Sequence, residues 1–150
     1  MRFFMSRYSS SCYALMRIVV GFLFLWHGVQ KLFGFPPGMP PGVPAFITYV
    51  AGPIELIGGL LVMIGLFTNW AAFITSGQMA FAYWIGHGTK ALLPLVNQGE
   101  LAALYCFVFL FIAAKGGGSW SIDSLLGSGS GHAGDAGNGL EQRGANEGEK

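Results

Sequence analysis

His27, Gln30 and Lys31 fall within about one helical turn of one another, and Glu55, Gln78 and Glu100 each interrupt an otherwise apolar run. Together they supply an imidazole, two amides, an ammonium and two carboxylates. Donors of that kind can hold a small polar ligand, and a carboxylate or imidazole beside them can pass a proton. Arg17 and His87 form a second tier of candidates. Other chemistries are excluded by spacing. Cys12 and Cys106 lie far apart and make no CxxC, so neither a dithiol nor a zinc site is expected, and no metal site is assigned. There is no glycine-rich dinucleotide fingerprint and no iron–sulfur spacing, so electrons for a redox step would come from a partner. A haem between His27 and His87 is disfavoured: the two stand roughly 10 Å apart in height at 1.5 Å of rise per residue, and a haem takes its axial ligands at one level.

The elements that must place these groups follow from composition. Of the 150 residues 53% are hydrophobic and 10% charged, with 24 glycines, against about a quarter charged in an ordinary soluble domain. The solvent is therefore lipid. Apolar runs cover residues 13–33, 45–67, 70–85 and 100–114. Backbone groups in hydrocarbon must pair within their own segment, and the runs lack the alternation of membrane strands, so each is expected to be a helix. The expected fold is all-α: an integral membrane four-helix bundle over residues 1–115, followed by a disordered, Gly/Ser-rich acidic tail over 116–150. The connection 34–44 is too rich in Pro and Gly to be helical throughout. A tight turn is expected near Thr68 and Asn69, and 87–98, with Pro94, reads as a short structured loop. Trp120, Ile122, Leu125 and Leu126 could form a short interfacial turn before disorder sets in.

At about 100° per residue, Arg17, Gly21, Phe24, His27, Gly28 and Lys31 share one stripe of the first helix. Gly52, Glu55, Gly59 and Met63 share one in the second, Thr75, Gln78 and Ala82 in the third, and Glu100, Ala103 and Phe107 in the fourth. Those stripes should face one another, because ionisable groups avoid acyl chains and glycines let helices approach closely. Counted from the ends taken as cytoplasmic, His27 stands roughly 15 Å up, Lys31 and Glu100 roughly 21 Å, Glu55 roughly 18 Å and Gln78 roughly 12 Å. They form one polar layer in the outer half, with Lys31 paired to one of the two carboxylates. Two readings stay open. The layer is a ligand site, or it is a structural lock that fixes helix register by neutralising acid with base. Glu55, two residues after Pro53, and Glu100 can also be read as first-turn acids that suit the positive end of a helix dipole.

Arg2, Arg7, Arg17 and Lys115 flank one side of the four runs and Lys31 and Lys90 the other, which places both termini in the cytoplasm. Basic groups predominate up to Lys115 and acidic groups beyond it. No basic run interleaved with aromatics occurs, so nucleic acid is excluded as a partner. The start does not read as a cleaved signal peptide, since Arg17 interrupts the apolar stretch, and Trp26, His27 and Gly28 stand where a small-residue cleavage site would.

The strings RIVVGFLFLWHGVQKLF from Arg17, GPIELIGGLLVMIGLFT from Gly52, GQMAFAYWIGH from Gly77 and NQGELAALYCFVFL from Asn97 resemble, in order, the motifs of the DoxX family of small bacterial inner-membrane proteins. The resemblance covers about residues 14–115 and leaves the tail unmatched. It implies four membrane helices and kinship with subunits of thiosulfate:quinone oxidoreductases. For some members it also implies association with superoxide dismutase and sulfurtransferase in oxidative and thiol stress. Position by position it singles out Arg17, His27, Gln30, Lys31, Glu55, His87, Asn97, Glu100 and Tyr105. Where many relatives carry Gly-Glu-Met-Ala in the third helix, this chain has Gln78, which removes an intramembrane carboxylate. The function so implied is that of a subunit of a membrane-associated oxidoreductase system, with quinone as the candidate ligand. Its partners would be the bilayer, a soluble redox enzyme or second membrane subunit, and further copies of the chain. The alternative is a non-enzymatic scaffold that anchors soluble redox enzymes, its polar layer purely structural. An ion or solute conduit is a third class, for which four short helices leave little room without oligomerisation.

Overall fold

The computed structural model of the chain describes residues 4–37 and 42–128. Among the described residues there are helices and turns but no strands. A 3-10 turn, Ser6–Tyr8, leads into α1 (Ser9–Phe33), which ends where Gly34 turns left-handed at φ 68° and returns its N–H to Gln30. A π-helical turn, Ile47–Ala51, runs directly into α2 (Gly52–Ile64). Pro53 accounts for the wide turn. It has no N–H with which to close the ordinary bond four residues back, and Gly52 bonds to the Ile47 carbonyl, five back. Next, α3 (Thr68–Tyr83) continues into a second π-helical turn, Trp84–Gly88. A one-turn α4 (Pro94–Asn97) precedes α5 (Glu100–Lys115) and α6 (Ile122–Ser128).

Along their lengths α1 packs on α2, α3 on α5, and α2 against α3. The α1–α2 seam depends on glycine. A Cβ on Gly21 would stand 2.6 Å from the Met63 nitrogen, and one on Gly59 2.7 Å from the Leu25 nitrogen, so the two backbones are in contact. Phe24, Val62, Ala72, Phe109 and Ile112 fill the space between the four longest helices. Outside, Leu15, Val19, Leu23, Phe73, Leu104 and Phe107 are each half exposed or more. So large an apolar shell is costly in water and costs nothing in lipid. By length and hydropathy Ser6–Phe33 and Ile47–Ile64 can each cross a membrane, whereas α3 and α5, at 16 residues each, extend about 24 Å.

The structure departs from the sequence expectation at two places. The second connection lies upstream of Thr68 and Asn69: Gly65 at φ 72° and Phe67 at φ 48° form a left-handed corner, so α2 stops at Ile64 and α3 already begins at Thr68. Nor is the chain disordered from Gly116 onward. The Tyr13 hydroxyl donates to the Gly116 carbonyl at 2.5 Å, and the Arg17 guanidinium donates to the Trp120 carbonyl at 2.7 Å. The Asp123 carboxylate accepts from the Thr68 hydroxyl and N–H at 2.6 and 2.9 Å and from the Phe67 N–H at 2.8 Å. These bonds hold residues 116–128 against α1, the end of α2 and the start of α3. Composition is blind to such an anchor, because its partners are backbone groups at helix ends. The rest of the expected tail, 129–150, lies outside the described residues.

Candidate functional site

Three helices converge on one carboxylate. Lys31 Nζ of α1 pairs with Glu55 Oε2 of α2, and Gln78 Nε2 of α3 donates to Glu55 Oε1 at 2.8 Å. Glycine makes the reach short: a Cβ on Gly28 would stand 2.7 Å from the Gly52 carbonyl oxygen, so α1 and α2 touch one turn before Lys31. Glu55 is 1% exposed and Lys31 18%. The bridge carries no net charge, which is what makes it tolerable away from water.

Beside the bridge lies a cavity of about 470 Å³, within the range of roughly 300–1,000 Å³ usual for small-molecule sites. Its polar lining includes Lys31, Glu55, Gln78, His27, His87 and Tyr105, with Gln98 at the α4–α5 corner, and its apolar walls include Phe24 and Met79. His27, one turn before Lys31, meets Tyr105 edge to face with ring centroids 6.0 Å apart, and Phe24 lies 5.2 Å from the same tyrosine. Among the described residues neither the His27 ring nor the Tyr105 hydroxyl makes a hydrogen bond, although Tyr105 is only 8% exposed. Gln78 Oε1 is buried and has no hydrogen-bond partner among the described residues. Buried polar groups normally find one. His87 approaches from the second π-helical turn. Its Nδ1 lies 2.9 Å from the Asn97 carbonyl, which can only accept, so in the neutral ring Nε2 is left as an acceptor. Both π-helical turns line the cavity, through Val50 and Ala51 on one side and Ile85 and His87 on the other. A π turn inserts one residue and re-aims the side chains around it, which is how it shapes functional sites.

Other expected residues lie elsewhere. Gln30 Nε2 donates to the Pro36 carbonyl at 3.1 Å and ties down the segment after α1. Glu100, expected in the layer, is exposed in the first turn of α5, where it suits the helix dipole, and the ion pair with Lys31 goes to Glu55. Asn97 is buried and builds the corner between α4 and α5. Its amide donates to the Ala91 carbonyl at 2.8 Å and the Tyr83 hydroxyl at 3.3 Å, and its side-chain oxygen accepts from the Gly99 N–H at 2.7 Å. It thereby positions His87. Arg17 is fully buried nearer the start of α1, where it donates to the Val62 and Met63 carbonyls at 2.5 and 2.8 Å and so satisfies the end of α2.

Asp123 and the walls supplied by the π-helical turns were not foreseen. Asp123 had a signal, the string Ser121-Ile122-Asp123-Ser124 ahead of Leu125: Ser121 Oγ accepts the Ser124 N–H at 3.1 Å in the manner of a helix N-cap. Burial opposes ionisation of Asp123, but the Thr68 and Phe67 hydrogen bonds and the charge of Arg17 outweigh it and hold the carboxyl below its ordinary value of 3.8.

A helical chain sheathed in exposed apolar side chains, with a partly polar cavity among its helices, is a membrane protein. Residues 13–88 match the DoxX family model, and the chain belongs to that family. An uncharacterized protein of Haemophilus influenzae is 39% identical over 80% of this chain and 94% of its own length. The Bacillus subtilis protein named "Putative oxidoreductase CatD" is 28% identical over 75% of this chain and 84% of its own. For the Escherichia coli inner membrane protein YqjF the figures are 29%, 73% and 88%. No solved structure matches the chain significantly.

Proposed function

We propose that the chain is a subunit of a membrane oxidoreductase system, that its cavity receives the headgroup of a quinone, and that it crosses the bilayer four times with both termini in the cytoplasm. The observation that carries the reading is the pair His27 and Tyr105, two hydrogen-bonding groups with no hydrogen-bond partner among the described residues, in a cavity walled by Phe24 and Met79. A quinone ring is flat and apolar with two carbonyl acceptors, and the tyrosine hydroxyl and an imidazole N–H are suitable donors to them. Reduction of a quinone to its quinol takes two electrons and two protons. The electrons come from a partner, a soluble redox enzyme or a second membrane subunit. The protons pass through the Glu55 carboxylate and the His27 and His87 imidazoles, all of which line the same cavity. The name borne by the Bacillus subtilis relative agrees with a redox role.

One observation favours a second reading. Both Glu55 oxygens are already bonded, to α1 and to α3, as a purely structural lock in a scaffold protein would require. Quinone binding to the protein purified in mild detergent separates the two. In His27→Ala and Tyr105→Phe the affinity should fall roughly fivefold each, the loss of one hydrogen bond worth about 1 kcal/mol, with melting temperature unchanged. Protein that binds no quinone yet captures a soluble redox enzyme would establish the scaffold.

A further inference from the structure

A second depression, of about 230 Å³, lies in the seam between α2 and α3, lined by Ile54, Ile57, Gly58, Leu61, Ile74 and Thr75. Its surface is hydrocarbon throughout. Even Thr75 presents its methyl group, because its hydroxyl turns back to the Ala71 and Ala72 carbonyls at 3.0 Å each. Gly58 sits against that methyl and forms the floor, and Ile57 and Ile74, each more than half exposed, form the two open walls. Helical periodicity sets the groove in line with the cavity. Residues 74, 78, 81 and 85 follow one stripe of α3 and its π-helical extension, and residues 54, 57 and 61 one stripe of α2, reached from Val50 through the other π turn. Gln78, Phe81, Ile85 and Val50 line the cavity, and Ile74, Ile54, Ile57 and Leu61 line the groove. One seam therefore carries a polar pocket at one end and, beyond Gln78, an apolar channel running from the level of Glu55 to that of Leu61, about 9 Å along α2.

We infer that this groove holds the hydrocarbon tail of the molecule whose headgroup lies in the cavity, so the ligand is a long-chain, lipid-soluble quinone entering sideways from the bilayer. The inference rests on the reading of the cavity as a quinone site. A headgroup beside Glu55 with its chain running down α2 lies as a membrane quinone does, ring toward the interface and chain toward the middle of the bilayer. A tail gains no hydrophobic free energy on leaving lipid for the groove, so the groove acts by fit, orienting the headgroup and favouring chains that match its walls.

The test uses the full chain in lipid nanodiscs, a quinone bearing a photoactivatable diazirine in the first tail units, and its tail-less headgroup as competitor. Labelling is expected at Ile54, Ile57, Leu61 and Ile74, suppressed at least fivefold by excess headgroup. In Ile57→Trp or Ile74→Trp, substitutions at lipid-facing positions, the groove label should be lost while the tail-less headgroup still binds. Label scattered over outward residues such as Leu15, Leu23 and Phe107, with headgroup binding intact, would overturn the groove and leave the cavity reading standing. Groove label that a bound headgroup does not displace would likewise overturn the groove alone, and no headgroup binding at all would overturn both.

Discussion

Lys31 and Glu55 share a bond but not an environment. Glu55 is sealed in, whereas Lys31 retains some exposure and sits in the last turn of α1, where a cation is favoured by the helix dipole. Truncating the lysine therefore strands a buried carboxylate, while truncating the glutamate leaves an ammonium that can extend toward the headgroups. Lys31→Met should cost up to about 3 kcal/mol of stability in detergent, more than Glu55→Leu, and the double substitution should cost less than Lys31→Met alone. Additive losses in thermal unfolding would show that the two do not depend on each other. The pair was legible in the sequence because intramembrane charges are scarce and rise per residue sets their height, yet that arithmetic ranked Glu100 level with Lys31. Height is only one coordinate. Which carboxylate faces the lysine depends on which helices are neighbours, and α1 lies along α2. Tyr105 was legible only through family resemblance, since a tyrosine in an aromatic-rich helix carries no mark of having been left without a partner.

Among the elements, the α1–α2 seam and the segment after α5 lend themselves to opposite kinds of test. At Gly21 the space for a side chain is taken by backbone, which cannot rotate away. Gly21→Val should force the helices apart, costing roughly 1–3 kcal/mol, and should weaken ligand binding too, because the same seam brings Lys31 to Glu55. Gly77, with open space around its Cβ position, is the internal control: Gly77→Ala should leave melting unchanged or raise it. The segment 116–128 responds to pH. Asp123 titrates below its ordinary value in the folded state, so its contribution is complete above about pH 4 and is lost as the pH falls through the folded value. The protection factors of amides 122–127, each taken against its intrinsic exchange rate at the same pH, should thus fall in acid. Asp123→Asn, which still offers an oxygen to Thr68, should remove that acid dependence, and a mutant that kept it would assign the effect to another group. Helix ends explain what the sequence hid. The apolar runs announce where helices are, but corners such as Gly65–Phe67 and anchors such as Asp123 are fixed by unpaired N–H and C=O groups that periodicity does not report.

For the molecule as a whole, side matters as much as depth, since on the proposed function a quinone-linked system would release or take up protons on one face of the membrane. The two polar clusters lie toward opposite ends of the seam: Lys31, Glu55 and Gln78 near the end of α1 and the start of α2, and Arg17 with Asp123 near the start of α1 and the end of α2. The excess of basic residues around the Arg17 end, with Arg7 ten residues before it and Lys115 Nζ 4.6 Å from the Tyr13 ring centroid, supports the proposed orientation, with this end in the cytoplasm and the cavity opening in the outer leaflet. A cysteine at Thr89, exposed in the turn after the second π-helical segment, should then react in intact cells with a membrane-impermeant maleimide, and one at Gly127 only after the cells are opened. The opposite pattern would put the cavity, and any proton it takes up, on the cytoplasmic side. It would also leave Lys31 and Lys90 as the inner charges against the stronger basic cluster, an inversion that the positive-inside rule opposes by about three residues to two among the described lysines and arginines flanking the helices. The same maleimide pair, read with quinone bound, extends the result from topology to function: a headgroup seated beside His87 reduces access to the neighbouring Thr89 position and leaves Gly127 untouched.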